Sequence, residues 1–126
     1  MLISTGSINK LSERLESSSE VFCTGLFLSA RWFAVSQLDR DGVQVIIMPD
    51  RESAEYCSVD LYNLIEGDKV FFLPDSGRTL ERSNYKSSLG VQRTSAIGKI
   101  LEYKDGQLFI VTYPSALEES IPSAEK

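Results

Sequence analysis

Apolar runs of strand length alternate with apolar stripes at helical spacing along most of this chain. Ile8, Leu11 and Leu15 recur at i, i+3 and i+7 behind Ser7, a residue suited to capping, and predict a helix over 8–17. Ser17-Ser18-Ser19 ends that pattern, and Val21–Thr24 reads as a short buried strand. Ala30, Phe33, Ala34 and Leu38 then share one helical face between 29 and 38. After the turn signal Asp41-Gly42, the β-branched run "VQVIIM" (43–48) predicts a second strand. "PDRESAEYCSVDLYNLIEG" has helix punctuation, with Asp50 to cap, Glu52 in the electropositive first turn, and Gly67 at the stop. Its stripe is Ala54, Cys57, Leu61, Leu64 and Ile65.

"KVFFL" (69–73), closed by Pro74, predicts a third strand. Residues 75–89 are polar, rich in Ser and Arg and without clear period, which predicts a loop. Val91, Ile97, Ile100 and Leu101 mark a further helix that ends near Lys104-Asp105-Gly106. "QLFIVT" (107–112) is the fourth strand, and "PSALEESI" opens with a proline that a first helical turn tolerates. Strands that are apolar throughout, rather than alternating, belong to sheets covered on both faces. The helices between them supply the crossovers that parallel pairing needs. The expected fold is therefore a three-layer α/β domain with a parallel sheet of about four strands flanked by helices. By position, residues 1–20 form an N-terminal helix and lead-in, 21–122 the α/β domain, and 123–126 a tail.

Composition narrows the chemistry. A chain of 126 residues is one domain by length. The balance of 13 basic against 18 acidic residues, net −5, argues against a dedicated nucleic-acid-binding module. The absence of histidine removes Ser-His-Asp and Cys-His catalysis and histidine-based zinc sites together. Cys23 and Cys57 stand 34 residues apart, outside any CxxC, and read as buried thiols in a reducing compartment. The first 20 residues carry Glu13, Glu16 and Glu20 and no apolar core of a secretory leader. No uncharged apolar run approaches the roughly 20 residues of a membrane helix. The expectation is a soluble, cytoplasmic chain with no membrane partner.

The passage "VFCTGLFLSARWFAVSQL" (21–38) runs from strand to helix through a glycine, as a phosphate-binding loop does. Against G-x-x-x-x-G-K-[ST], Gly25 is kept, but Ala30, Arg31 and Trp32 replace the second glycine, the lysine and the hydroxyl. Leu26, Phe27 and Leu28 crowd a turn that needs small residues, and Ser29 is its one hydroxyl. Arg31 keeps a positive charge but not the compact ammonium of lysine, and Trp32 cannot hold Mg²⁺. The expectation is a degenerate loop of Gly25, Ser29, Ala30, Arg31 and Trp32, with no cofactor, no metal and no catalytic residue. A plain strand-to-helix turn whose apolar residues are core is the favoured local reading.

Two further groups carry candidate chemistry. Asp50 and Asp75 each follow a proline at a strand's carboxyl end, where α/β ligands sit; they are either paired metal-binding carboxylates or capping and loop residues. Arg78, Arg82, Lys86 and Arg93 are interleaved with hydroxyls and Tyr85, a set that reads as a phosphate contact, as a surface for an acidic partner domain, or as a solvated loop.

In order and spacing, "TGLFLSARWFAVSQL", "VIIMPDRESAEYCSVDLYNLIEGDKVFFLP", "GVQRTSAIGKIL" and "LFIVTYPSALEESIP" resemble the N-terminal region of the bacterial transcription-repair coupling factor. That region is similar in turn to the first domain of the excision-repair helicase subunit UvrB. The resemblance covers about four-fifths of the chain, and its most specific elements are G-x-x-x-S-A-R, the "MPDRESAEYCSVDLYNLI" helix and "QRTSAIGKIL". It implies a degenerate P-loop NTPase, helicase-like fold, like domain 1a of UvrB, with no ATPase activity of its own. In that family ATP and Mg²⁺ serve the C-terminal translocase domains, which act on DNA and displace stalled RNA polymerase. The N-terminal module recruits UvrA, chiefly through a second domain inserted after the strand matching Leu108–Thr112, and packs against other domains of the same protein to restrain the motor. The chain stops near that insertion point and so is expected to be a fragment of a larger protein. The long DNA-engaging hairpin of UvrB is not expected, since about 17 residues separate Pro74 from Gln92.

Two other classes compete. A nucleotide-dependent enzyme with an atypical loop would need Lys99 or Arg93 in place of the missing lysine. A receiver-like signalling domain would use Asp50 as phospho-acceptor, but Gly25-Leu26 follows the first strand and Tyr113-Pro114 the fourth, where that chemistry needs an acidic pair and a lysine.

Overall fold

The computed structural model describes residues 5–18, 20–21, 30–38, 41–65, 67–77 and 83–120. They fall into two compact units, Met1–Arg40 and Asp41–Lys126. The first contains helix α1 (Thr5–Ser17) and helix α2 (Ala30–Ser36). Helix α1 starts earlier than the apolar spacing indicates, so Ser7 lies within it and does not cap it. Leu11 and Leu15 are half-buried while Glu13, Arg14 and Glu16 are exposed. At the other end the Ser17 hydroxyl donates back to the Glu13 and Arg14 carbonyls at 3.2 and 3.3 Å. Helix α2 buries Trp32 and Ala34, with Leu38 buried just beyond it, and leaves Phe33 39% exposed, so Phe33 departs from its expected face. A helix of seven residues spans barely two turns, too few for periodicity to fix its facing. The expected strand Val21–Thr24 lies outside the described residues except for Val21, which has no regular structure.

The second unit holds a parallel three-stranded sheet. Its strands are β1 (Gly42–Ile47), β2 (Val70–Phe72) and β3 (Gln107–Thr112), in the order β1-β3-β2. Gly42 opposes Gln107 and Ile47 opposes Thr112 across the first pair; Val70 opposes Phe109 and Phe72 opposes Val111 across the second. Strand β3 is central and buried from Leu108 to Thr112, which explains its unbroken apolar sequence. The turns into β1 and β3 meet where Gly42 donates its N–H to the Gly106 carbonyl at 2.8 Å. Gly42 and Gly106 take φ of 125° and 80°, which side chains with a Cβ resist.

Helix α3 (Arg51–Leu64) covers one face of the sheet and helix α4 (Ser83–Glu102) the other. Alternation along the strands sorts the core between them. Leu108 and Ile110 turn to the α4 side, where they meet Leu73 and Ala96, with Val43, Phe71, Ile97, Ile100 and Tyr103 around them. Phe109 and Val111, on the opposite face of β3, are fully buried. So are Ala54, Cys57 and Leu61 along α3. Cys57 is accordingly a core thiol, whereas Cys23 lies outside the described residues.

Several expected boundaries shift. Helix α3 ends by turning extended at Ile65, whose N–H still reaches the Leu61 carbonyl at 2.8 Å. Gly67 is therefore not its stop; it opens a 3₁₀ turn (Gly67–Lys69) that leads into β2. Leu64 is 43% exposed and leaves the expected stripe. The expected 75–89 loop is a loop only in its first part, because α4 begins at Ser83. The inward line of α4 is Leu89, Arg93 and Ala96, whereas Val91 and Leu101, taken as markers of this helix, face solvent. The short helix α5 (Pro114–Leu117) follows β3, with proline at its start as expected.

Candidate functional site

The carboxyl ends of all three strands run into proline: directly after Met48, after Leu73, and after Tyr113. Proline ends each strand by removing a ladder donor, and the following residues turn across the end of the sheet. In an open α/β fold this rim is where ligands bind. Here side chains from the three strand ends bond to one another across it.

Asp50, beyond β1, has extended backbone, and its Oδ1 accepts the Ser53 N–H at 2.7 Å as the cap of α3. That bond holds the Asp50 carboxyl below the ordinary aspartate range. Arg51, the first residue of α3, reaches across the rim. Its Nε donates to the Tyr113 hydroxyl at 3.1 Å, and its Nη2 donates to both carboxylate oxygens of Asp75 at 3.0 and 2.9 Å. The Tyr113 contact first, and the Asp75 carboxylate after it, push the Arg51 guanidinium above its already high value. The Tyr113 oxygen also accepts the Asp75 N–H at 2.9 Å, and the Tyr113 ring stacks on Phe72 at 6.1 Å between centroids. Asp75 closes its own turn by accepting the Gly77 N–H at 3.0 Å, at a glycine with φ of 73°. One phenol and one carboxylate thus tie the three strand ends together.

A second cluster adjoins it. Arg93 is 6% exposed and donates from Nη1 to the carbonyls of Pro74 and Ala116 at 2.8 and 3.0 Å, and from Nη2 to that of Glu119 at 3.3 Å. Its Nε lies 3.5 Å from the Glu119 carboxylate. The other oxygen of that carboxylate accepts both the N–H and the hydroxyl of Ser76, at 2.9 and 3.0 Å. Five donors in a rigid fork suit this task, which lysine could not perform.

These contacts decide several expectations. Asp50 caps a helix and Asp75 binds Arg51, so each has the capping or loop role that was the alternative to a paired-carboxylate site. Among the described residues no cluster of three or more carboxylates or thiols is arranged to hold a metal ion. Arg93 is interior and serves three carbonyls, rather than standing on the surface with the basic set. Arg78 and Arg82 lie outside the described residues, and Lys86 belongs to α4 without a described side chain. Lys99 is exposed, with its ammonium 5.8 Å from the Phe71 ring centroid.

Of the degenerate loop, Gly25 and Ser29 lie outside the described residues, and Ala30 opens α2. The Arg31 guanidinium lies over the Trp32 ring, 4.6 Å from its centroid, and Trp32 itself is 8% exposed. The position that carries a Mg²⁺-binding hydroxyl in a working loop is thus occupied by a buried indole.

Sequence reasoning picked out Asp50, Asp75 and the Tyr113 position as strand-end residues but missed Arg51 as the partner of Asp75 and Tyr113, and Glu119 as that of Arg93. The available signal was the repeat of proline next to a polar residue at each strand end. Three such rims in one parallel sheet must converge, and a cation beside one of them is a ready partner for the others. The chain matches no protein-family model, no curated protein and no solved structure. No helix among the described residues is long and apolar enough to cross a membrane.

Proposed function

We propose that this chain is a non-catalytic interaction module of the kind found at the N-terminus of bacterial transcription-repair coupling factors, descended from a nucleotide-binding helicase domain. In this reading it binds no nucleotide of its own. It packs against other domains of its protein to restrain an ATP- and Mg²⁺-driven DNA motor, and it serves the recruitment of UvrA to stalled RNA polymerase. The observation that supports it most is the cross-bonded carboxyl rim. Where an α/β enzyme keeps an open crevice, Arg51, Asp75, Tyr113, Arg93 and Glu119 are consumed by bonds to one another and to the backbone. The buried Trp32 beside Arg31 agrees with a loop that has lost its ligand.

The test has two arms. Calorimetric titration of the chain with Mg-ATP is expected to give no binding heat, and a micromolar Kd abolished by Arg31→Ala would overturn the reading. Added in trans to a coupling factor lacking its N-terminal module, the chain is expected to slow that motor's ATP turnover. No effect at saturating chain would sink the restraint function.

A further inference from the structure

We infer that the groove between α3 and the outer edge of β2 is a docking site for an extended basic peptide segment, which adds as a strand beside β2 and sets alternate apolar side chains against the exposed ring of Tyr62. The argument starts from the edge. With the order β1-β3-β2, strand β2 has β3 on one side and no described strand on the other. Leu73 donates its N–H to the Val111 carbonyl at 2.8 Å, so its backbone faces β3. Backbone N–H groups alternate sides along a strand, which aims those of Val70 and Phe72 outward, away from β3. Such an edge is a template for strand addition.

Beside this edge lies an apolar groove lined by Ser58, Val59, Tyr62, Val70 and Phe72. Its helical wall is unusual for a surface helix. Tyr56, Val59 and Tyr62 follow one another at spacings of three and are 68%, 59% and 60% exposed. Helix residues three apart share a face, so the stripe is continuous. One apolar residue in solvent is ordinary; a contiguous row of them next to a strand edge with no neighbour among the described residues marks an interaction surface.

Charge selects the occupant. Among the described residues from Glu52 to Lys69 stand Glu52, Glu55, Asp60 and Asp68 against Lys69. Two copies of this chain, each of net charge −5, would bring like charges together if they paired through this edge. A basic segment is attracted by the same surroundings, and its apolar residues at alternate positions match the period of the strand it joins. The inference stands apart from the coupling-factor reading, since it uses neither the degenerate loop nor the rim.

The test pans the full chain against a displayed library of random peptides about twelve residues long, the span of an added strand with flanks. Enriched peptides are expected to carry net positive charge and alternating apolar residues. Val59→Lys or Tyr62→Lys, both at exposed positions, is expected to weaken their binding roughly tenfold or more, while Val91→Lys on α4 leaves it unchanged. Amide NMR shifts are expected at Ser58–Tyr62 and Val70–Phe72. The inference is overturned if nothing is enriched, if enriched peptides lack that pattern or ignore Val59→Lys, or if sedimentation shows a dimer that Val59→Lys dissolves.

Discussion

The two helices that sandwich the sheet do similar work with different chemistry. Helix α3 presents Ala54, Cys57 and Leu61 to the core at helical spacing, and Asp50 caps it. Helix α4 presents Leu89, Arg93 and Ala96, and the cation is buried along with its apolar neighbours. On the α3 side the inward line is wholly apolar, and the helix's directed link to the strand ends, Arg51, stands at its start outside that line. On the α4 side the arginine gathers the Pro74, Ala116 and Glu119 carbonyls, so strand end, short helix and covering helix are fixed by directed bonds. The line facing the sheet is wholly apolar on α3 and carries a hydrogen-bonded charge amid apolar neighbours on α4.

The sharpest way to break that contrast is Arg93→Ala. It leaves Pro74 and Ala116 carbonyls without their donor and the Glu119 carboxylate without its cation, at an expected cost of about 4 kcal/mol in urea unfolding. Arg93→Met restores apolar volume but not the bonds and is expected to recover only part of the loss. If methionine matched or exceeded the native stability, the arginine would be ballast, and the two helices would be alike after all.

The matching change on α3 is Leu61→Ala, fully buried in the native chain. Lost transfer energy and the cavity together predict about 3 kcal/mol. Val59→Ala, two residues away but exposed, is expected to cost under about 0.5 kcal/mol. A comparable loss at both positions would mean that α3 is covered on its outer side as well.

The same contrast explains what could be read in advance. Periodicity gave α3 almost whole, because its inward residues are apolar and its cap is an aspartate that follows a proline. It missed the first turns of α4, because Ser83–Ser88 offer no apolar stripe and the residue that continues the inward line is Arg93. A buried charge is invisible to a hydrophobic pattern, since only its tertiary partners make it tolerable. The parallel α/β class followed from unbroken apolar strands, and β3 shows the burial that such a sequence requires. At the rim, the prolines marked where strands end, but no spacing rule joins Arg51 to Asp75 or Arg93 to Glu119, which lie 24 and 26 residues apart. Helix ends written in local sequence were therefore legible, and cross-chain pairs were not.

The smallest expected effect tests the local signal itself. Asp50 accepts the Ser53 N–H, and that bond lowers its pKa from the ordinary 3.8. A carboxyl with a lowered folded pKa adds stability above its unfolded value and loses it as pH falls through the folded one. The melting temperature of Asp50→Ala is therefore expected to lie modestly below that of the native chain near neutrality, with the gap closing on acidification below about pH 3.8. Asp50→Asn keeps an oxygen for Ser53 and no titrating proton, so its gap from the native chain is expected to be small near neutrality and to shrink or reverse in acid. Other carboxylates titrate in all three proteins alike, which leaves the difference to Asp50. A gap for Asp50→Ala that stayed constant into acid would assign the loss to backbone preference at that position and remove the cap from the account of why α3 begins where it does.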